Sequence, residues 1–354
     1  MSKKNMNRKK NQAKNSANTK SASSQDKKND KEIHMDNKVD DDLKDNNKVM
    51  NNAGNKKKRI ETDNSKIKEY SLIKKIAIVW IVIGIIIILL YVGNNKIDVT
   101  EHVYKTDKIS KKLDGFTIVQ ISDLHNKEFG KNNRKLIAKV REARPDIIVI
   151  TGDIIDFNKT NVDIAVNTAK RLSDIAVTYY VTGNHEYGIN ANSLDKLMKG
   201  LENAGVIIMQ NRLEIINDNM CVIGLDEREI IGYGGEAYSK GTPKRTIESL
   251  IEAADVEKDK LKILLSHEPQ IYKKYELCDI VFTGHAHGGQ FRIPFVNKGF
   301  VAPDQGFFPK YTEGRHDYKG STMYISRGLG NSIIPQRIFN NPEIVKVEIN
   351  YKKD

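Results

Sequence analysis

Hydrophobic and polar positions divide the chain into three unequal stretches. From Met1 to about Tyr70, Lys, Asn, Asp and Ser dominate and neither Phe nor Trp occurs. Such a segment has almost nothing to bury against the entropy of ordering, so residues 1–70 are expected to be disordered. Ile76 to Val92 is then a run of 17 residues without a charge, 13 of them Ile, Val or Leu, the pattern of a membrane-crossing helix. At ~1.5 Å per residue it covers about 26 Å, a little under the ~30 Å hydrocarbon core, and Lys74 and Lys75 make up the shortfall by snorkelling. At roughly −0.3 to −0.6 kcal/mol for each Ile, Leu and Val, the run contributes about −4 to −8 kcal/mol to insertion before the costs of Gly84 and the ends. A cleaved signal peptide fits poorly: the preceding polar region is too long, and Gly93, Asn94 and Asn95 offer no A-x-A site. The expected organisation is a membrane helix over 74–93, a linker over 94–111 and a folded domain over 112–354.

Beyond residue 115 the pattern changes to short apolar runs alternating with amphipathic stretches. Phe116 to Ile121, Ile147 to Thr151, Val177 to Thr182, Val206 to Met209, Cys221 to Leu225, Ile263 to Ser266, Ile280 to Thr283, Met323 to Ser326 and Ile344 to Ile349 read as strands. Lys131 to Ala143 and Val162 to Leu172 read as helices between the first three. Early strand and helix alternation, followed by more closely spaced strands, predicts an α/β layered fold.

Charge sharpens this division. Residues 1–75 hold 21 Lys and Arg against 11 Asp and Glu, a net of +10 out of the formal +12, which leaves 37 against 35, or +2, after residue 92. A nearly neutral folded part lacks the cationic footprint that sequence-independent nucleic-acid binding needs, so no specific nucleic acid is expected as a partner. The basic tail suits contact with anionic lipid. Lys66, Lys68, Lys74 and Lys75 precede the apolar run, whereas Gly93 to His102 contain only Lys96; the tail is therefore expected in the cytoplasm and the domain on the outer face of the cell membrane. Two cysteines, Cys221 and Cys278, lie in apolar runs and read as small core residues, with a disulfide left open for an oxidising space.

The chemistry-bearing residues gather at strand ends, where an α/β sheet presents its carboxyl edge. Asp123 and His125 follow the first strand, two apart, so that on an extended backbone they point to the same side. The second strand runs into GDIID, with Asp153 and Asp156. The third runs into GNHE, with Asn184, His185 and Glu186. His267 follows ILLS, and His285 and His287 lie in TGHAHGGQ after IVFT. Singly, an Asp after a strand is more often a helix cap and a lone His a satisfied polar residue, but five of the eight histidines fall in this arrangement. Mixed carboxylate, imidazole and amide donors suit Mn, Fe or Zn. Seven candidate ligands exceed one centre, and a shared carboxylate bridges two ions held about 3.5 to 4 Å apart, the spacing that clamps a phosphoryl group.

The ordered set DLH, GDIID, GNHE, a lone His and GHAH resembles the calcineurin-like metallophosphoesterase superfamily over roughly residues 112–350. The resemblance implies a four-layer α/β/β/α sandwich with a dinuclear site between its two sheets. Carried over by position, Asp123, His125 and His287 would bind the first metal, Asn184, His267 and His285 the second, and Asp153 both. His185 would be left as the catalytic residue near the leaving-group oxygen, a general acid or donor of the kind that contributes about 10² to 10⁴-fold. Asp156 and Glu186 would orient histidines from behind, unless they merely cap the helices next in the chain.

Phe157 after GDIID replaces the Tyr of purple acid phosphatases, and no Arg-Gly of the protein Ser/Thr phosphatases is present, so both branches are disfavoured. The closing segments GHAHGGQFRIP and SRGLGNSIIPQRIFNNPEIVKVEI are similar to membrane-anchored or exported bacterial metallophosphoesterases. Gly288, Gly289 and Gln290 either line the pocket or permit a tight turn. The resemblance thus implies an enzyme hydrolysing phosphomonoesters or phosphodiesters by direct attack of metal-bound hydroxide at two divalent ions. The alternatives are a non-catalytic membrane-anchored binding module that keeps the metal site, and a nuclease, which the charge disfavours.

Overall fold

The structure is a computed structural model that describes residues 39–231, 242–293, 298–332 and 334–353. Two compact units divide between Ala77 and Ile78. A single long helix, α1 (Val39–Asn95), contains a stretch long and apolar enough to cross a membrane. Its side chains between Ile76 and Val92 are mostly exposed. Residues 39–70, expected to be disordered, are helical. The rest of that expectation, residues 1–38, lies outside the described residues.

Half of the linker expected over 94–111 is strand. β1 (Asp98–Thr106) pairs in parallel with β16 (Glu343–Tyr351), from Asp98 opposite Glu343 to Thr106 opposite Tyr351. Its DVTEHVYKT sequence is half-polar because it is an edge strand with one face in water. The first sheet runs β1-β16-β2-β3-β4-β5, with β2 (Phe116–Ile121), β3 (Ile147–Thr151), β4 (Val177–Val181) and β5 (Val206–Ile208) parallel and β16 antiparallel to β2. The second runs β14-β15-β9-β8-β7-β6, built from β6 (Arg212–Asn217), β7 (Met220–Gly224), β8 (Leu261–Leu265), β9 (Ile280–Thr283), β14 (Gly314–Tyr318) and β15 (Ser321–Ile325). Between β9 and β14 lie two small hairpins, β10 (Arg292–Ile293) with β11 (Lys298–Gly299) and β12 (Val301–Ala302) with β13 (Gly306–Phe307).

Three apolar clusters define the layers. Ile118, Val149, Tyr179 and Val181 of the first sheet meet Val222, Ile263, Leu265 and Phe282 of the second. The other face of the first sheet packs Val119, Ile148 and Ile150 on α2 (Arg134–Glu142), α3 (Val162–Ser173) and α5 (Ala191–Asn203) through Leu136, Val140, Ala169, Leu172, Leu197 and Leu201. The second sheet is covered by Ile247 of α7 (Thr242–Ala253) with Tyr272 and Tyr275. The sandwich is therefore α/β/β/α. Short helices α4 (Asn184–Gly188) and α6 (Arg228–Ile231) come after β4 and β7. Cys221 and Cys278 are buried and unbridged; desolvation raises the Cys221 thiol to about 11, as suits small core residues.

Candidate metal centre

Strands β2, β3 and β4 of one sheet and β8 and β9 of the other deliver their carboxyl ends to one edge of the sandwich. The connecting loops turn sharply there. Asp123, His125, Asp153, His285 and His287 all hold φ between 46° and 64°, a left-handed conformation that costs a residue with a Cβ about 1–2 kcal/mol. Non-glycine residues adopt it where surrounding structure over-determines them, commonly at functional sites. Backbone bonds do so here: Asp123 N–H donates to Gly152 O (3.1 Å), His125 N–H to Asp153 O (3.0 Å) and His285 N–H to the Asp123 carboxylate (3.0 Å). Gly152 is required by its own φ of 85° and because a Cβ would stand 2.5 Å from His267 Nδ1. At Gly284 a Cβ would meet Ser122 Oγ at 1.9 Å.

All seven side chains expected at the site are brought together, in two groups. In the first, His125 Nε2 lies 3.1 Å from His287 Nε2, with Asp123 Oδ1 3.6 Å from His287 Nε2. In the second, Asn184 Oδ1 lies 3.2 Å from His267 Nε2 and 3.1 Å from His285 Nδ1, and the two histidine nitrogens are 3.2 Å apart. Asp153 Oδ2 stands between the groups, 3.6 Å from His125 Nε2 and 3.3 Å from His267 Nε2. Except for Asn184, which is part-exposed, all are buried.

The tautomers show what such a centre accepts. His267 Nδ1–H donates to Thr151 O (2.7 Å), which leaves Nε2 as a lone pair. His285 Nε2–H donates to Asp304 Oδ2 (2.9 Å), which leaves Nδ1 as a lone pair. With both rings neutral, two imidazole lone pairs and an amide oxygen converge, an arrangement that repels itself unless a cation or a proton on His267 is shared. The donor set of imidazole nitrogens, carboxylate and amide oxygens fits a borderline divalent ion.

The titration behaviour carries the same message. Burial pushes His125 and His287 well below the usual imidazole range, with Asp153 opposing it in each case. Burial also disfavours charge on His267, but the Asp153 carboxylate overrides it and holds the imidazole well above its usual range. Asp153 is correspondingly held low, its burial outweighed by His267. A proton on that pair occupies the place of a shared ion.

Among the other expected residues, His185 packs on Phe157, with ring centroids 4.3 Å apart, and its Nδ1 accepts the Phe157 N–H (3.2 Å). Nε2 therefore carries the proton; it points to Ser332 Oγ at 3.2 Å and lies 4.0 Å from Asp153 Oδ2. Asp156 does not cap α3, whose cap is Asn161; its Oδ1 accepts N–H groups of Asn158 and Lys159 (2.8 Å each) in the loop before it, while Oδ2 faces His125 Nδ1 at 3.6 Å and His185 Nδ1 at 3.8 Å. Glu186 is drawn to backbone rather than to a histidine, accepting from Asp153 N (3.0 Å), Ile154 N (2.9 Å) and Gly183 N (2.6 Å). It thereby pins the loop that carries Asp153. Burial and Asp153 raise the Glu186 carboxyl to about 8. Gly288 and Gly289 make a tight turn at φ 63° and 73°, and Gln290 ties that turn to the carbonyls of Ile334 and Gln336.

Several neighbours went unread in the sequence. Asp304 and Glu268 flank His285 Nε2, the latter at 3.7 Å. Glu227 is buried, and desolvation together with Glu268 holds its carboxyl well above the carboxylate range. Arg337 is buried behind His287 Nδ1, 3.4 Å away, and donates to Gly330 O (2.6 Å). Glu268 is next to His267 in the chain, which was a readable hint; Asp304 and Arg337 come from loops with no periodicity. A cleft of about 540 Å³ leads inward past Asn94, Lys127, Lys159, Asn331 and Ser332 to His125 and Asp156.

A two-sheet α/β sandwich with a cage of histidines and carboxylates at its carboxyl edge defines a metal-dependent phosphoesterase architecture. The family model of the calcineurin-like phosphoesterases matches residues 116–289 of the chain. It is 29% identical over 265 residues to the metallophosphoesterase YkuE of Bacillus subtilis, covering 72% of this chain and 86% of that protein. It is 24% identical over 239 residues to phosphodiesterase YaeI of Escherichia coli, covering 66% and 82% respectively. A third relative, a transmembrane protein with metallophosphoesterase domain from Danio rerio, is 25% identical over 255 residues, covering 68% of this chain and 54% of that protein.

Proposed function

We propose that the chain is a membrane-anchored hydrolase of phosphomonoesters or phosphodiesters, working at a pair of divalent ions. The observation that carries this is the convergence of the seven side chains into two cages that share Asp153. Asp123, His125 and His287 would hold one ion and Asn184, His267 and His285 the other, with Asp153 touching both. Mn, Fe and Zn all suit the donor set. Bound there, such ions supply Lewis acidity and ionise the attacking water. The protein's own part is positional. Glu186 and the left-handed loops fix the cage. His185, its Nδ1 committed to the Phe157 amide, presents the Nε2 proton to the leaving-group oxygen. Lys127 and Lys159 in the cleft offset the charge of an entering phosphate.

The helix over 76–92 is proposed as the single membrane span, with the N-terminus cytoplasmic and the phosphoesterase domain outside. Support comes from the exposure of its Ile, Val and Leu side chains and the lysines that precede it. Metal content and turnover decide the reading together. The full chain, purified in detergent, is expected to carry close to two transition-metal ions and to hydrolyse an aryl phosphodiester once loaded with Mn. A metal-loaded chain that is inert to aryl mono- and diesters alike overturns it.

A further inference from the structure

The chain exposes an apolar strip that the metal centre does not use. Phe307, Phe308 and Phe339 are 70%, 60% and 66% exposed, and Phe300 and Ile338 are also open to solvent. These residues form one surface. Phe300 stacks edge-on against Phe307 and Phe308 at 5.4 and 5.6 Å. Phe300 N–H donates to Phe291 O (2.8 Å), and Phe291 bridges Ile338, the neighbour of Phe339. Exposed Lys298 and Lys310 flank the aromatics.

What covers this strip is indicated by what it is bonded to. Gln336 Nε2 donates to Leu90 O (2.9 Å), Asn94 Nδ2 to Pro335 O (3.0 Å) and Arg337 N to Asn94 Oδ1 (2.9 Å). The segment carrying Ile338 and Phe339 is thus tied to the last turns of the apolar helix, where that helix leaves the hydrocarbon. Gln290 clamps the same segment to the turn beside His287. An apolar cavity of about 260 Å³ opens there, lined by His287, Val301, Ala302, Pro303, Ser332 and Ile334. Exposed aromatics on a surface whose 335–337 segment is bonded to the helix end, flanked by lysines, match the composition of segments that lie in the headgroup boundary.

We propose that Phe307, Phe308 and Phe339 seat the domain on the bilayer its own helix crosses, and that the substrate is an amphipathic phosphoester drawn from that bilayer. Its phosphate enters the metal centre and its apolar part the cavity beside His287. The second half of the proposal rests on the phosphoesterase reading. The surface half stands without it.

The test uses the full chain in vesicles of phosphatidylcholine and phosphatidylglycerol, with two probes sharing one leaving group: the methyl and the dodecyl esters of p-nitrophenyl phosphate. The dodecyl ester, which partitions into the bilayer, is expected to be hydrolysed at least about ten-fold faster than the methyl ester. The triple variant Phe307→Ser, Phe308→Ser, Phe339→Ser should lose that preference and keep the methyl-ester rate. Equal rates on the two esters, or a preference untouched by the triple variant, overturn the substrate assignment. Insertion is read separately by Phe308→Trp in a Trp80→Phe background, with acyl-brominated phosphatidylcholine as quencher. Quenching supports docking even if neither ester is cleaved, in which case the phosphoesterase reading alone has failed. No quenching, or a signal that tracks protein density rather than brominated lipid, overturns docking and gives the strip to solvent or to a second copy.

Discussion

The two halves of the cage are built differently although their side chains are alike. Asp123, His125 and His287 all stand on left-handed backbone, and His125 Nδ1 has no hydrogen-bond partner among the described residues. Burial pushes both imidazoles of this half below their usual range. In the other half only His285 is left-handed, and each histidine is braced from behind, His267 by Thr151 O and His285 by Asp304 and Glu268. Both of these imidazoles are raised, their burial outweighed for His267 by Asp153 and for His285 by Glu268 and Asp304. The first half rests more on loop geometry, with Arg337 behind His287 and Asp156 3.6 Å from His125, and the other on closer carbonyl and carboxylate partners. Partners that orient a histidine and raise its basicity strengthen its hold on an ion.

Removing the shared element should erase the difference. Asp153→Ala is expected to lose both ions and all measurable turnover, as read by elemental analysis and aryl-diester hydrolysis; retention of one full equivalent would mean the halves do not share it. Next in size is His185→Ala, which should keep both ions while turnover falls by about 10² to 10⁴-fold. Full activity in that variant would remove His185 from the chemistry. Asp304→Asn should weaken only the braced half, by about 10 to 100-fold in affinity for one ion, seen as a single displaced phase in a metal titration. Two displaced phases would deny the separation.

Acid provides the finest discrimination. As pH falls, the raised His267 and His285 take up protons before the lowered His125 and His287, so the ion of the braced half should leave first. Metal content after dialysis at a descending series of pH values reads the order. Simultaneous loss would show that proton competition does not distinguish the halves.

Much of this centre was legible before any fold was known, because its residues are local to strand ends. An Asp or His placed one to three residues after an apolar run needs only the strand to form for its position to be set. Hence β2, β3 and β9 begin and end where the apolar runs do, and every expected ligand reached the cage. β1 escaped because DVTEHVYKT has only two aliphatic residues and so no apolar run, and β6 because RLEIIN is half-polar. Asp304 and Arg337 escaped for a different reason: their partners lie 19 and 50 positions away in sequence, in contacts that no local pattern encodes.

The sequence by itself determined the apolar helix, the buried apolar strands along the chain and the kind of donor offered at their ends, since these depend on side-chain chemistry and short-range periodicity. Tertiary structure alone decided that Glu186 grips the Asp153 loop rather than a histidine, that the two halves are braced differently, and that the segment before Phe339 is bonded to the end of the helix. Those outcomes depend on which distant segments share a surface once the two sheets close on each other.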